Sequence, residues 1–176
     1  MMFEETPLAG AFRIHQERRV DDRGFFARIW SKEEFAAHGL ATEIVHCNTS
    51  YNRRRGTLRG MHWQVPPYAE AKLVRCTVGA IYDVIVDLRS ESPSYGRHYG
   101  ATLTSADGAM LYCPEGFAHG FVTLADDVEV AYQMSQVYSP AHACGFRWDD
   151  PFFDISWPIE PVVMSTRDRT YTDFQP

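Results

Sequence analysis

The sequence lacks paired cysteines at the spacing of a metal or redox site. Its four cysteines, Cys47, Cys76, Cys113 and Cys144, lie far apart and form no CxxC motif. This spacing argues against a disulfide framework and against a structural zinc site. It favours reduced thiols, and we therefore expect a cytoplasmic protein.

Long apolar runs and an excess of basic residues are also missing. No segment approaches the ~18 consecutive apolar residues of a membrane span, and the opening MMFEETPLAG has acidic residues where a signal peptide would be apolar. The formal net charge of −6 argues against nucleic acid or an anionic membrane as the main partner. A local basic site for a small phosphate stays compatible with this charge.

The chain instead contains many short segments that alternate in the manner of β-strands. In AIYDVIVDLR, every second residue from Ala80 to Leu88 falls on one face, and these side chains are apolar or aromatic. The other face carries Asp83 and Asp87 with two isoleucines. KLVRCTVGAIYDVIVDL reads as two strands joined near Gly79, and AMLYCP, HGFVTL and VEVAYQMS are further strands. We found no linker or repeat. The length of 176 residues and this pattern predict one mainly β domain over residues 1–176, a sandwich or barrel.

One short helix is predicted early in the chain. In SKEEFAAHGL, Ser31 is a suitable N-cap, Glu34 follows at capping-box spacing, and Gly39 is a suitable stop. The C-terminal third is rich in Pro, Trp and Asp. We expect it to wrap the sandwich in loops and short helical turns.

Two segments resemble the paired motifs of the cupin superfamily. The first runs from Gly56 to His62-Trp63-Gln64, and the second runs from Gly108 through PEGFAH, which ends at His119, to Thr123. The resemblance implies a small jelly-roll β-barrel in which both histidines point inward. Metal-binding cupins have a second histidine where this chain has Gln64, and amides bind first-row metals less readily than imidazoles. A lysine ammonium nearby, from Lys72, would also repel a divalent cation, so we expect no metal and an imidazole free to act as a base.

Longer stretches resemble the dTDP-4-dehydrorhamnose 3,5-epimerase family. The matching motifs are DDRGFF, RGTLRGMHWQ, AKLVRCTVGAIYDVIVDLR, PEGFAHGF, RWDDP and STRD, in the right order over nearly the whole chain. The resemblance implies a cofactor-independent, homodimeric epimerase. It would act on 4-keto-6-deoxy sugars attached to a nucleoside diphosphate, in deoxysugar biosynthesis.

The resemblance also assigns catalytic roles. It implies that His62 is the base and that Asp168 orients it and stabilises its imidazolium form. Lys72 is expected near the keto oxygen, where a cation stabilises the developing enolate. Tyr132 matches the proton donor on the opposite face of the sugar, and alternation places it on one strand face with Val130 and Met134.

Substrate-binding residues follow from the same resemblance. It implies arginines at the nucleotide end, aromatic side chains around the nucleotide, polar residues near the sugar, and a basic position beside the catalytic carboxylate. These predicted residues are Arg23, Phe26, Asn48, Arg59, His119, Tyr138 and Arg167. Asp83 is a further candidate, as a second buried carboxylate that orients a histidine.

Four positions depart from the usual family pattern. Arg28 and Ala143 stand where glutamates are common, His46 stands where glutamine is common, and Gln133 replaces a lysine. None of these positions is one of the four predicted catalytic residues. The sequence therefore supports the hypothesis that the chemistry is retained while the nucleotide or sugar differs, or that only one carbon is inverted.

Three alternatives remain at this point. A sugar-nucleotide 3,4-ketoisomerase would move the ketone instead of inverting a centre, and retention of Tyr132 with His62 favours epimerisation. A non-catalytic sugar-nucleotide-binding cupin would be favoured if His62 or Asp168 were missing, and both are present. A metal-dependent cupin oxygenase is disfavoured by Gln64 and Lys72.

Overall fold

Two antiparallel sheets form the body of the protein in the computed structural model, which describes residues 1–176. Thirteen strands and two short helices are present. In chain order they are β1 (Met2–Glu5), β2 (Phe12–His15), β3 (Arg19–Asp21), β4 (Gly24–Phe26), α1 (Lys32–Ala37), β5 (His46–Asn52), β6 (Leu58–Gln64), β7 (Lys72–Val78), β8 (Ala80–Asp87), β9 (His98–Thr104), β10 (Met110–Cys113), β11 (Phe117–Thr123), β12 (Val128–Met134), β13 (Ala143–Gly145) and α2 (Thr166–Thr170).

The larger sheet has six strands in the order β1-β2-β10-β7-β12-β5, and the smaller has five in the order β13-β6-β11-β8-β9. Strands β3 and β4 form a separate hairpin. The main core fills the space between the sheets and contains Val74 and Val130 from one sheet and Ile81, Ile85 and Phe121 from the other. Each strand therefore turns alternate side chains to this interior, as its sequence pattern predicts.

Gly79 is the corner at which the chain passes from one sheet to the other. The predicted strands on both sides of it are present as β7 and β8, but they do not pair, because β7 lies in the six-stranded sheet and β8 in the five-stranded sheet. Gly79 has φ +81°, and a Cβ there would lie 2.8 Å from a methyl carbon of Val128. Only glycine fits this corner without strain.

Helix α1 covers the outer face of the six-stranded sheet and buries Phe35 against Ile14, Leu73 and Met110. The predicted ends are confirmed: Ser31 accepts the backbone N–H of Glu34, and Gly39 has φ +69°. The side chain of Glu34 does not complete the capping box. It binds Arg28 instead, at 3.2 Å.

After β12 the chain runs mostly without regular structure and packs on the outer face of the five-stranded sheet. Phe146, Phe153 and Phe174 stack or cross there beside Trp63. This agrees with the predicted wrapping by loops and short turns. Neither helix has the length and apolar character required to cross a membrane.

Candidate active site

A cavity of about 430 Å³ opens between the two sheets. Eight of the predicted residues line it. They are Asn48, Arg59, His62, Lys72, His119, Tyr132, Arg167 and Asp168. The six-stranded sheet contributes Asn48, Lys72 and Tyr132, and the five-stranded sheet contributes the two histidines and Arg59. Strands far apart in sequence thus place the imidazoles on one wall of the cavity and the phenol on the opposite wall.

A close approach of two backbones sets the positions of the two histidines. A Cβ on Gly60 would lie 2.5 Å from the Cα of Gly120, and one on Gly120 would lie 2.9 Å from the carbonyl oxygen of Arg59. Glycine at both positions lets β6 and β11 pack this closely. His62 and His119 are direct partners across this strand pair, so both side chains project from the same face, into the cavity.

His62 and Asp168 form a hydrogen-bonded pair. The imidazole Nε2 lies 2.6 Å from the Oδ1 of Asp168, whose side chain is 5% exposed, whereas that of His62 is 39% exposed. Burial raises the pKa of Asp168, but the hydrogen bond and charge of His62 and a bond at Ser165 outweigh it, so the pKa is lowered overall. An ionised carboxylate only accepts hydrogen bonds, so Nε2 donates and Nδ1 keeps the free lone pair.

The C-terminal segment brings Asp168 to the histidine. Val163 forms a parallel bridge with Thr57, and its carbonyl accepts the N–H of Leu58 at 2.8 Å. Ser165 then caps α2 by accepting the N–H of Asp168 at 3.0 Å. These bonds fix the start of α2 against the start of β6, the strand that carries the histidine.

His119 pairs with the second predicted carboxylate. Its Nε2 lies 2.8 Å from Oδ1 of Asp83, and both side chains are buried. The structure thus places Asp83 in hydrogen-bonding contact with a histidine, and the orienting role stays a prediction. The second oxygen of Asp83 has no hydrogen-bond partner, so His119 is the only side chain that binds this carboxylate.

Tyr132 faces the histidines from the other sheet. Its ring packs on the main core, and its hydroxyl lies 3.0 Å from the hydroxyl of Ser50 on the neighbouring strand β5. Burial raises the pKa of Tyr132, and the hydrogen bond to Ser50 offsets only part of this effect. The phenol is therefore protonated at neutral pH and is available as a proton donor.

Lys72 begins β7 and extends its ammonium into the cavity. The Nζ atom donates to the carbonyl oxygen of His62 at 3.1 Å and pairs with Oε1 of Glu70 at 3.1 Å. A cation is thus held directly beside the backbone of the residue predicted to be the base. A cation at this place can stabilise a negative oxygen that develops on a bound molecule.

Arginines lie at two points of the cavity wall. Arg59 donates from Nε to Asn52 at 2.7 Å, which leaves other guanidinium donors available. Arg167 binds the hydroxyl of Tyr138 at 3.2 Å and the carbonyl of Ala143 at 3.3 Å. Tyr138 does not line the cavity itself and reaches it only through Arg167.

The family is decided by comparison with known proteins. The sequence model described as dTDP-4-dehydrorhamnose 3,5-epimerase matches residues 5–176. The chain belongs to the dTDP-4-dehydrorhamnose 3,5-epimerase family. The membership confirms the predicted cupin jelly-roll fold and the predicted enzyme class, an epimerase.

Individual relatives are similar to this chain in sequence or structure over most of their length. The chain is 40% identical over 171 residues to dTDP-4-dehydrorhamnose 3,5-epimerase of Sinorhizobium fredii, covering 97% of this chain and 88% of that protein. The Bacillus anthracis 3,5-epimerase crystallised with TDP and PPi superposes with a TM-score of 0.94 at 37% identity, covering 98% of this chain and 99% of that one. A dTDP-4-dehydrorhamnose 3-epimerase of Streptomyces niveus is 36% identical, covering 96% of this chain and 82% of that protein.

Besides Tyr138, two predicted substrate-binding residues of this epimerase lie outside the cavity of their own chain. Arg23 and Phe26 are on the β3–β4 hairpin, where Arg23 pairs with the adjacent Asp21 and has a side chain 89% exposed. Phe26 is 70% exposed. Their role in substrate binding stays a prediction.

The four departures from the family pattern also lie outside the cavity lining. Arg28 pairs with Glu34, and Ala143 lies in the edge strand β13. His46 begins β5 opposite Met134. Gln133 faces a groove on the outer side of the six-stranded sheet, away from Tyr132, as expected for neighbours on a strand.

Sequence reasoning missed several parts of the epimerase cavity. The additional lining residues are Thr49, Ser50, Phe121, Met134 and Ser165. Strand alternation carries a signal for three of them, because Ser50, Phe121 and Met134 follow the predicted residues Asn48, His119 and Tyr132 at intervals of two. Glu70, the buried partner of Lys72, also lies two residues from a predicted residue, but the sequence carried no signal that it is buried.

Proposed function

We propose that this protein inverts carbon 3, carbon 5 or both in a nucleoside-diphosphate 4-keto-6-deoxyhexose, without a cofactor. One observation carries the proposal: His62 on one sheet, paired with Asp168 of α2, faces the protonated phenol of Tyr132 and the ammonium of Lys72 on the other sheet. A base on one wall and an acid on the opposite wall are what inversion at a carbon beside a ketone needs. A ketoisomerase or a simple binding protein does not need a base and an acid on opposite walls.

In the proposed reaction, Nδ1 of His62 takes the proton from the carbon next to the ketone. The C–H electrons move to the keto oxygen, where Lys72 stabilises the enolate, and Asp168 stabilises the imidazolium. Tyr132 then gives its proton to the other face of the same carbon, and the ketone re-forms. Solvent removes the proton from His62 and returns one to Tyr132, so no net oxidation occurs.

The nucleotide that we propose is dTDP. Arg59 and Arg167 supply guanidinium groups suited to bidentate contacts with diphosphate oxygens, and Asn48 and His119 line the same cavity. The named relatives act on dTDP sugars or were crystallised with TDP. Arg28, His46 and Ala143, which suggested a different nucleotide, do not line this cavity.

We also propose that the epimerase works without a metal, in the cytoplasm, as one domain over residues 1–176. No group of three or more His, Cys, Asp or Glu side chains is arranged to hold a metal ion. Both cavity histidines already bind carboxylates through Nε2, and Lys72 adds a positive charge. All four cysteines are free thiols, which suits a reducing compartment.

Deuterium incorporation tests the proposed reaction. The protein is incubated in heavy water with dTDP-, CDP- and GDP-4-keto-6-deoxyhexoses, and carbons 3 and 5 are followed by NMR. We expect incorporation and inversion with the dTDP sugar at one or both carbons. No incorporation with any sugar would contradict the proposal, a preference for CDP or GDP would restore the different-nucleotide hypothesis, and metal analysis of the same sample tests the metal-free mechanism.

The active form that we propose is a homodimer in which the β3–β4 hairpin completes the partner's cavity. Val20, Phe25 and Phe26 are 77%, 54% and 70% exposed on this hairpin. The edge strand β5, which carries Asn48, also has a free backbone edge and mostly exposed side chains. An apolar hairpin and an open sheet edge are features that a second copy can cover.

Mixing two inactive variants tests this arrangement. At a low substrate concentration we expect Arg23→Ala to be inactive because it binds too little substrate, and His62→Ala to be inactive because it cannot remove the proton. If the hairpin acts in the partner's cavity, an equal mixture after subunit exchange should recover about a quarter of wild-type activity, because half of the dimers contain one intact site. Absence of recovery, with dimers confirmed by sedimentation, would show that Arg23 acts only within its own chain.

A further inference from the structure

Glu70 and Lys72 form an ion pair that is almost fully buried. Their side chains are 5% and 7% exposed, and the Oε1–Nζ distance is 3.1 Å. Glu70 does not line the cavity, whereas Lys72 does. The carboxylate therefore reaches the active site only through the ammonium that it binds.

The second oxygen of Glu70 is buried and has no hydrogen-bond partner. A buried carboxylate with one free oxygen depends strongly on its single cation for stabilisation. The ammonium of Lys72 has three donors. Glu70 takes one and the carbonyl of His62 takes another, so one donor remains for a ligand in the cavity.

We propose that Glu70 is a positioning residue that stabilises the ammonium of Lys72 and directs its free N–H to the keto oxygen of the substrate. The proposal rests on the proposed function, since it gives the ammonium the role of stabilising the enolate. A buried lysine without a counter-ion tends to lose its proton. Without Glu70, the charged form of Lys72 would lose its counter-ion and its N–H would no longer be directed, so it would stabilise negative charge less well.

Other ionisable groups lie in the same cavity as the ammonium. Those lining the cavity are Arg59, His62, His119, Tyr132, Arg167 and Asp168. Cys113 lies opposite Lys72 across the β7–β10 pair, and burial raises the pKa of its thiol to about 12. The thiol is uncharged at neutral pH, so it cannot replace the carboxylate. Asp168 and Asp83 each bind a histidine, which leaves Glu70 as the carboxylate in direct contact with Lys72.

The sequence allows a direct measurement, because Lys32 and Lys72 are its only lysines. With ¹³Cε-labelled lysine, NMR should show two lysine signals, and Lys32, which is exposed and 3.5 Å from Glu43, is an internal control. In Glu70→Gln we expect the titration midpoint of Lys72 to fall by at least about one pH unit, while that of Lys32 stays unchanged. An unchanged Lys72 midpoint would overturn the proposal whether or not the protein epimerises any sugar.

Kinetics provide the second measurement. For Glu70→Gln we expect kcat at neutral pH to fall about tenfold, KM to change little, and the alkaline limb of the kcat profile to move to lower pH. Glu70→Asp keeps the charge and should hold the Lys72 midpoint near the wild-type value. If Glu70→Gln does not fold, the same measurements are made on Glu70→Asp. If both variants lower kcat equally at every pH with the Lys72 midpoint unchanged, Glu70 is only structural.

Discussion

Replacement of His62 by alanine is expected to lower kcat/KM by about a hundredfold or more. Asp168 holds Nε2 of His62 at 2.6 Å, which leaves the lone pair of Nδ1 free, and the His62 side chain is 39% exposed, whereas that of the other cavity histidine, His119, is only 6% exposed. Deuterium uptake from heavy water into carbons 3 and 5 should fall in parallel, because both depend on removal of a C–H proton. Steady-state kinetics and NMR exchange measure the two effects.

Two variants control for indirect effects. His98→Ala removes another histidine, on the edge strand β9 outside the cavity, and should leave both rates unchanged. Asp168→Asn should give a loss that is smaller than that of His62→Ala, since the base remains while its orientation and the stabilisation of its charged form are weakened. Deuterium uptake at the wild-type rate in His62→Ala would mean that another group removes the proton.

For Tyr132→Phe we expect a different pattern, in which inversion is lost by about a hundredfold while deuterium exchange continues with retention. Tyr132 and His62 come from opposite sheets, so loss of the phenol leaves the base intact. The enolate still forms and takes its proton back from the side of His62. NMR resolves the two outcomes, because exchange without inversion places deuterium in the unchanged sugar.

Tyr112→Phe is a matched control for this experiment. Tyr112 is also buried, and its hydroxyl accepts one hydrogen bond, from the N–H of Ala41 at 2.9 Å, but it belongs to the core cluster under α1. Its loss should affect stability without separating exchange from inversion. If Tyr132→Phe inverts the sugar as fast as wild type, water or another residue is the proton donor.

Much of the fold could be predicted because strand alternation records which face is buried. The segments around Gly79, AMLYCP and VEVAYQMS are strands, and Ser31 and Gly39 bound the one early helix. The pairing of the strands could not be predicted in this way. β7 and β8 are adjacent in sequence and yet lie in different sheets, because a glycine corner can either turn a hairpin or cross between sheets, and alternation is the same in both cases.

The site was predicted largely through motif resemblance, and the structure tests which residues meet. His62, Lys72, Tyr132 and Asp168 do line one cavity. Arg23 and Phe26 do not line it in the same chain, since their hairpin projects from the sandwich. Glu70 escaped prediction because a carboxylate two residues from a lysine is usually a solvated surface pair, and its burial depends on strands that are distant in sequence.

The sequence by itself determined the strand pattern, the helix ends, the absence of cysteine pairs, and the family. Each of these depends on residue identity and on spacing along the chain. Only the tertiary structure decided that Asp168 lies on Nε2 of His62, which leaves Nδ1 as the base, and that Tyr132 faces it from the opposite sheet. These arrangements arise from packing between segments as much as 106 residues apart, and the hydrogen-bonding atom of a side chain depends on the partners that the packing brings to it.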